Sequence, residues 1–195
     1  MKHYTARMHQ DLFGRSHSVV HNVFFAIMPD DITRERMVDA VEALRILGHE
    51  PRGRWLTPAR YHMTLHFLGT FSELPEDRIA AAIRAADGLR SSAFDLLLDR
   101  AGSFSGGISW LGCARVEPPL QQLWDELRQA LAREHVATKG HTRFVPHVTV
   151  LRDAREPMPD VAIAPIRWPI REVMLIDSQL GDRNEYRPLG SWQLK

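Results

Sequence analysis

Two short stretches, His62-Met63-Thr64-Leu65 and His147-Val148-Thr149-Val150, repeat one pattern: histidine, any residue, threonine, aliphatic. They stand 85 residues apart. Imidazole has an ordinary pKa of about 6.5, so near neutrality it can accept a proton or give one up. Opening a phosphodiester in one step needs a base for the attacking water and an acid for the departing alkoxide. It also needs donors that hold the non-bridging oxygens. Two imidazoles on opposite sides of a phosphorus meet the first two needs without a metal, each contributing typically about 10²–10⁴-fold. Threonine hydroxyls can serve as fixed oxyanion donors. A single His-x-Thr carries little information, because a strand-borne histidine is more often structural. Two copies in similar surroundings are much harder to assign to packing.

Those surroundings read as strands. Each copy lies in an apolar, β-branched stretch, residues 61–68 and 145–151, and side chains two apart on a strand share a face. Residues 23–28 form an apolar run closed by Pro29, which predicts a buried strand. Asp30 and Asp31 can cap a helix to about Leu47, with Met37, Val41, Leu44 and Leu47 on one face and Gly48 ending it. A loop over residues 49–60 carries Arg52, Arg54 and Arg60 around Trp55, and the first motif strand that follows is stopped by Gly69. Pro75 opens a second helix to about Ala86, burying Ile79, Ala82 and Ile83. Residues 94–99 and 108–111 read as strands, joined by a turn over 103–107. Pro118 and Pro119 open a third helix to about His135, with Leu120, Leu123, Trp124, Leu127 and Leu131 on one face. After a basic loop and the second motif strand come strands over 161–168 and 172–180 and a short piece over 186–189. Each motif strand follows a helix, so the chain reads as two related halves.

The chain of 195 residues suffices for one generous domain or two closely packed lobes. Its 44% hydrophobic and 25% charged content is that of a globular protein, and no apolar run is long enough for a membrane helix. With net charge +1, affinity for a polyanion has to come from a local basic patch. A single cysteine, Cys113, excludes an internal disulfide and a multi-cysteine metal site, and a cytoplasmic location is the simplest reading. His3, His9, His17 and His21 crowd a stretch with little periodicity. Residues 1–21 are therefore expected to form a flexible extension and residues 22–195 the folded domain.

The residues around the two motifs resemble those of the two-histidine phosphoesterases, specifically the bacterial RNA 2′,3′-cyclic phosphodiesterase group (LigT-like, also labelled 2′-5′ RNA ligases). The resemblance runs from about Asn22 to the C-terminus. It rests on Val23-Phe24-Phe25-Ala26-Ile27, on Trp55 with residues 61–69, on Phe94-Asp95-Leu96-Leu97-Leu98, Gly102-Ser103-Phe104 and Ile108-Ser109-Trp110-Leu111-Gly112, and above all on residues 144–152. Ser178 and Tyr186 also fit. The histidine-rich leader is not usual for the family. The resemblance implies an α+β fold of two pseudo-symmetric lobes, each an antiparallel sheet with helices outside, and a central groove holding both motifs. It implies metal-independent opening of an RNA-terminal 2′,3′-cyclic phosphate to a 2′-phosphate, with His62 as proton donor and His147 as acceptor and Thr64 and Thr149 on the phosphate. The nearly symmetric pattern does not itself orient the two histidines. No cofactor or metal is implied. The expected partners are RNA ends or small cyclic nucleotides, and a monomer is expected. ATP-independent 2′-5′ ligation at the same site, and a non-catalytic nucleotide- or RNA-binding module, stay open as alternatives.

Further substrate contacts are expected from Arg152, Phe144, Arg54, Arg60 and Tyr186. Arg152 follows Thr149 by three residues, so on a regular strand it would face away from the motif side. Phe144 can stack on a base, Arg54 and Arg60 can meet RNA phosphates, and Tyr186 can close over the nucleotide. Strict alternation puts His66 on the motif face, about 13 Å from His62 at about 3.3 Å per residue, at the far end of the groove. His62 and His66 also have the spacing of two helical metal ligands, but their stretch alternates as a strand does and no glutamate follows His62. Trp110, Trp124 and Trp168 are expected in the core.

Overall fold

The computed structural model describes residues 19–139, 143–180 and 185–195. Its strands are β1 (Val20–Ile27), β2 (Arg54–Trp55), β3 (Met63–Phe71), β4 (Phe94–Phe104), β5 (Ile108–Gly112), β6 (His147–Arg152), β7 (Val161–Ile170), β8 (Glu172–Leu180) and β9 (Tyr186–Gln193). Its helices are α1 (Asp31–Ile46), α2 (Glu76–Asp87) and α3 (Pro118–Arg133). Asp30 caps α1, its carboxylate accepting from the Thr33 amide at 2.7 Å, and this bond holds the carboxyl below the usual range.

The strands lie in the order β7-β4-β5-β6-β3-β1-β8-β9, with β2 added to β6. Neighbours run antiparallel throughout. The expected two-lobed α+β architecture is present, and its two sheets are joined into one. The motif strands β3 and β6 are the innermost strands of two four-stranded halves and meet through a single residue pair, Met63 with Val148. Met63 and Val148 are wholly buried and belong to one core that also holds Leu44 of α1, Ala82 of α2 and Leu127 of α3. Their neighbours His62, Thr64, His147 and Thr149 must therefore project to the opposite face. An antiparallel register through that pair sets His62 level with Thr149, and Thr64 level with His147. A smaller apolar cluster of Phe24, Ala26 and Ile176 lies on this second face.

Several local expectations need correction. β1 begins at Val20, before the boundary expected at Asn22, and His21 within it hydrogen-bonds the buried Asp177 carboxylate at 2.9 Å. The rest of the leader, with His3, His9 and His17, lies outside the described residues. Gly69 does not stop β3: at φ 146°, open to glycine alone, it carries the strand past a bulge at Leu68 to Phe71. α2 buries Ala81, Ala82, Ala85 and Ala86, and Ile79 and Ile83 pack at its margin. The C-terminal piece is a full strand, β9, which closes one edge of the sheet against β8.

Two single-residue bulges decide what faces the motif side. In β3, Thr64 pairs with Ala26 and His66 with Phe25, so Leu65 is the extra residue. In β6, Thr149 pairs with Trp110 and Leu151 with Ser109, so Val150 is the extra residue. Both bulges fall three positions after the motif histidine. Each inverts the alternation beyond it. His66 is thereby turned into the core, where Nε2 lies 2.9 Å from the Trp124 carbonyl and the ring stacks on the Trp124 indole. This overturns the expectation that His66 lines the groove, and it removes any shared metal with His62. The same inversion turns Phe67 and Arg152, each five positions after a histidine, onto the motif face, where both line one cavity.

Candidate active site

The cavity on the motif face has a volume of about 700 Å³. Its walls include His62 immediately before β3, Thr64 and Phe67 of β3, Arg152 of β6, and Phe24, Arg60 and Tyr186. β2 closes one side by pairing Arg54 with Arg152 and Trp55 with Leu151. The connection leading into β2 passes so near β6 that a side chain on Gly53 would stand 2.8 Å from the Arg152 carbonyl oxygen.

Both motif histidines are held in the same way. His62 Nδ1 is 2.8 Å from the carbonyl of Arg60, and His147 Nδ1 is 2.8 Å from the carbonyl of Val145. A carbonyl only accepts, so in each ring Nδ1 carries the hydrogen. Nε2 then carries the lone pair of the neutral ring and is the nitrogen left for a ligand. In both cases the acceptor lies two residues upstream, at the entry to the strand. Around His62 the support is aromatic: Phe24 stacks on it at 4.9 Å, and Tyr186 meets it edge-on, its hydroxyl 3.0 Å from Nδ1. The Arg60 guanidinium lies 3.8 Å from the centre of the Tyr186 ring and donates to the Ser178 hydroxyl at 3.0 Å. Around His147, Phe104 stands edge-on at 4.9 Å and packs in turn on Trp110 at 5.4 Å.

The electrostatics disfavour a proton charge on either ring. Burial, opposed in part by the bond to the Arg60 carbonyl and reinforced by the charges of Arg60 and Arg152, brings His62 down to about 4. Burial and the nearby Arg152 charge also lower His147. Burial raises the Tyr186 phenol above its ordinary value, so it stays a neutral hydroxyl. The site thus combines cationic walls with two neutral imidazoles, which suits an anion bound between them.

The structure brings His62, Thr64, Arg152, Arg60, Arg54 and Tyr186 to one cavity, whereas His147 and Thr149 are not among its lining residues and are placed by the register through Met63 and Val148, which sets them level with Thr64 and His62. Arg54 sits at the rim in an ion pair with Asp153 at 3.2 Å. Tyr186 supports the back of His62. Phe144 does not enter this cavity: it stacks on Trp124 at 5.4 Å and lines a different one. Trp168 and Trp124 are buried as expected, whereas Trp110 is only half-buried and lies on the motif face. Sequence reasoning missed Phe24, Phe67 and Phe104. For Phe24 a signal existed, since consecutive Phe24 and Phe25 on a strand must face opposite sides.

This arrangement, two histidines at the entries to the inner strands of two antiparallel half-sheets, defines a class of fold that comparison with known proteins identifies. A family model of the 2′-5′ RNA ligase superfamily matches residues 29–182, and the chain belongs to that superfamily. The RNA 2′,3′-cyclic phosphodiesterase of Escherichia coli (strain K12) is 33% identical over 180 residues, which cover 88% of this chain and 96% of that protein. The RNA 2′,3′-cyclic phosphodiesterase of Aquifex aeolicus (strain VF5) is 29% identical over 66% of this chain and 67% of its own. The crystal structure of E. coli LigT complexed with 3′-AMP superposes with a TM-score of 0.72 at 30% identity, covering 91% of this chain and 99% of that one.

Proposed function

We propose that this protein hydrolyses RNA-terminal 2′,3′-cyclic phosphate to a 2′-phosphomonoester by metal-independent acid–base catalysis. The observation that carries the reading is the matched fixing of the two motif imidazoles, each by a carbonyl two residues upstream, with Nε2 free for chemistry in both. The two superfamily relatives named as RNA 2′,3′-cyclic phosphodiesterases support the same reading.

In this mechanism the cyclic phosphate lies between the two rings. The Thr64 and Thr149 hydroxyls and the Arg152 guanidinium hold its non-bridging oxygens. His147 Nε2 takes a proton from water as the new P–O bond forms. The P–O3′ bond breaks on the opposite side, and His62 Nε2 delivers its proton to O3′. Both rings are neutral before substrate arrives, so the substrate must supply the condition for its own turnover. Its negative charge offsets Arg60 and Arg152 and raises the affinity of His62 for a proton. The Nδ1 bond to the Arg60 carbonyl stabilises the resulting imidazolium.

The test is incubation with a 2′,3′-cyclic nucleotide and excess chelator, followed by identification of the product isomer. A 2′-monophosphate is expected, with turnover lost by several orders of magnitude in His62→Ala and in His147→Ala. Undiminished turnover in either variant, or loss of wild-type turnover on chelation, overturns the proposal.

A further inference from the structure

The cavity that holds His62 and Thr64 continues along β1 to a far end that the proton transfers do not use. There Asn22 pairs with Thr70 of β3 on one side and with Ser178 of β8 on the other, and Asn22 and Ser178 both line the cavity. Thr64 pairs with Ala26, so Asn22 stands four residues along β1 from the level of Thr64, about 13 Å at about 3.3 Å per residue. Aromatic rings occupy the span between them. Phe24 and Phe67 pair across β1 and β3, both line the cavity, and Phe67 is only half-buried. An aromatic face takes the flat ring of any base, so a base seated over Phe67 still has to be told apart at its edge.

The polar groups at this end are donors. The Thr70 hydroxyl donates to Asn22 Oδ1 at 2.7 Å, which fixes the amide and leaves its Nδ2 hydrogens without a protein acceptor among the described residues. The buried Ser178 hydroxyl accepts from the Arg60 guanidinium at 3.0 Å, so its own hydrogen is left to donate. Among the described residues no carboxylate lines this cavity.

Two neighbouring donors fit two neighbouring acceptors. Guanine carries such a pair in O6 and N7, whereas adenine keeps N7 but sets an amino donor beside it. We propose that Asn22 and Ser178 form the base-reading end of the cleft and select guanine over adenine in the nucleoside that carries the cyclic phosphate. This deepens the cyclic phosphodiesterase reading and rests on it for the seating of the phosphate at His62 and Thr64. With adenine the amino group faces a donor, and a group that has given up water gains no acceptor in return. Asn22 acts here on the choice of substrate and takes no part in the proton transfers.

In the experiment, guanosine, inosine and adenosine 2′-monophosphates are titrated by calorimetry against the wild-type protein, Asn22→Ala and Asn22→Asp, and the matching 2′,3′-cyclic nucleotides are assayed for turnover. Inosine keeps O6 and N7 and lacks the 2-amino group of guanosine, so it isolates the edge in question. The wild-type protein should bind the guanosine and inosine ligands about tenfold or more tightly than the adenosine one, with the same order in KM. Asn22→Ala should bring the ratio to within about threefold, and Asn22→Asp, which puts an acceptor where the donor stood, should reverse it. Equal wild-type affinities, an advantage of guanosine that inosine does not share, or a ratio that survives Asn22→Ala overturns the proposal. So does an equal loss of affinity for all three ligands, which marks a structural role for Asn22. The expected order of Kd without turnover of any cyclic nucleotide would instead remove the phosphodiesterase reading and leave the base site standing.

Discussion

Anion binding in the cleft should take up a proton, and the magnitude follows from the position of His62. Its pKa in the folded protein is lowered to about 4. To donate a proton near pH 7 it must be lifted to about 7 by the bound anion, a change worth about 4 kcal/mol. Linkage makes the effect reciprocal: the anion must bind about 10³-fold more tightly to the protonated ring than to the neutral one. Between the free and bound pKa values the free protein is neutral at His62 and the complex is protonated. Binding then takes up close to one proton, falling to about half a proton at pH 7, and Kd weakens about 50-fold from pH 5 to 7. Sulfate is a suitable probe because it does not itself titrate in this range. Calorimetric titrations in buffers of different ionisation enthalpy count the protons, and the His62 ring resonances report the midpoint with and without sulfate. The His62→Gln variant should lose most of the pH dependence. A Kd flat between pH 5 and 7 with no proton uptake, or a free-protein midpoint at the ordinary histidine value, would refute the reasoning.

Other substitutions separate chemistry from architecture. Arg152→Ala removes a guanidinium that the β6 bulge aims into the cleft, and a charged hydrogen bond of about 1.5–3 kcal/mol predicts a ten- to hundredfold loss of kcat/KM. Steady-state kinetics would show it, with Arg152→Lys recovering only part because a point charge lacks the planar fork. His66→Leu should spare kcat yet destabilise the fold by about 0.5–1.5 kcal/mol in denaturant melts, because it removes the buried bond to the Trp124 carbonyl along with the stacking on the indole. Acid sensitivity has a definite sign. His62 takes a proton near about 6.5 when unfolded but only near about 4 when folded, so its contribution is complete above pH 6.5 and is lost as pH falls towards 4. His62→Gln should therefore reduce the drop in stability between pH 7 and 4.5, measured by thermal unfolding.

Much of the scaffold was legible because it is written in periodicity. The apolar face of α3 buries what its pattern predicts, as do the motif strands up to their bulges, through Met63, Leu65 and Val148. Bulges have no such signature. Nothing in the composition of His62 to Phe67 marks Leu65 as supernumerary, because the bulge is set by pairing with β1, a partner distant in sequence. One inserted residue misplaced His66 and left the direction of Arg152 wrong by a full face. β2 was invisible for a related reason: two residues have no period, and only their pairing with β6 makes them a strand. The aromatic supports were hidden because Phe24 and Phe104 reach the histidines from other strands.

The bulges also show how a nearly symmetric scaffold supports a reaction that is not symmetric. The two motifs place the same imidazole and the same hydroxyl on each half, and the backbone fixes both rings alike. Identical groups in identical fields would share one proton affinity and have no reason to divide the roles of donor and acceptor. The position brought onto the motif face by each bulge breaks that equivalence. On β3 it holds Phe67, an apolar ring, and on β6 it holds Arg152, a permanent cation. Arg60, lying against Tyr186, adds a second cation near His62. The fold therefore supplies two similarly held proton carriers: burial lowers both, the Arg60 and Arg152 charges add to it at His62, and the Arg152 charge adds to it at His147. If that is the source of the asymmetry, exchanging the charge should narrow it. In a Phe67→Arg, Arg152→Phe double variant, the midpoints of His62 and His147 read by NMR should shift relative to each other, even where turnover is lost. Midpoints that keep their wild-type separation would place the origin of the asymmetry elsewhere, in the aromatic packing that surrounds each ring.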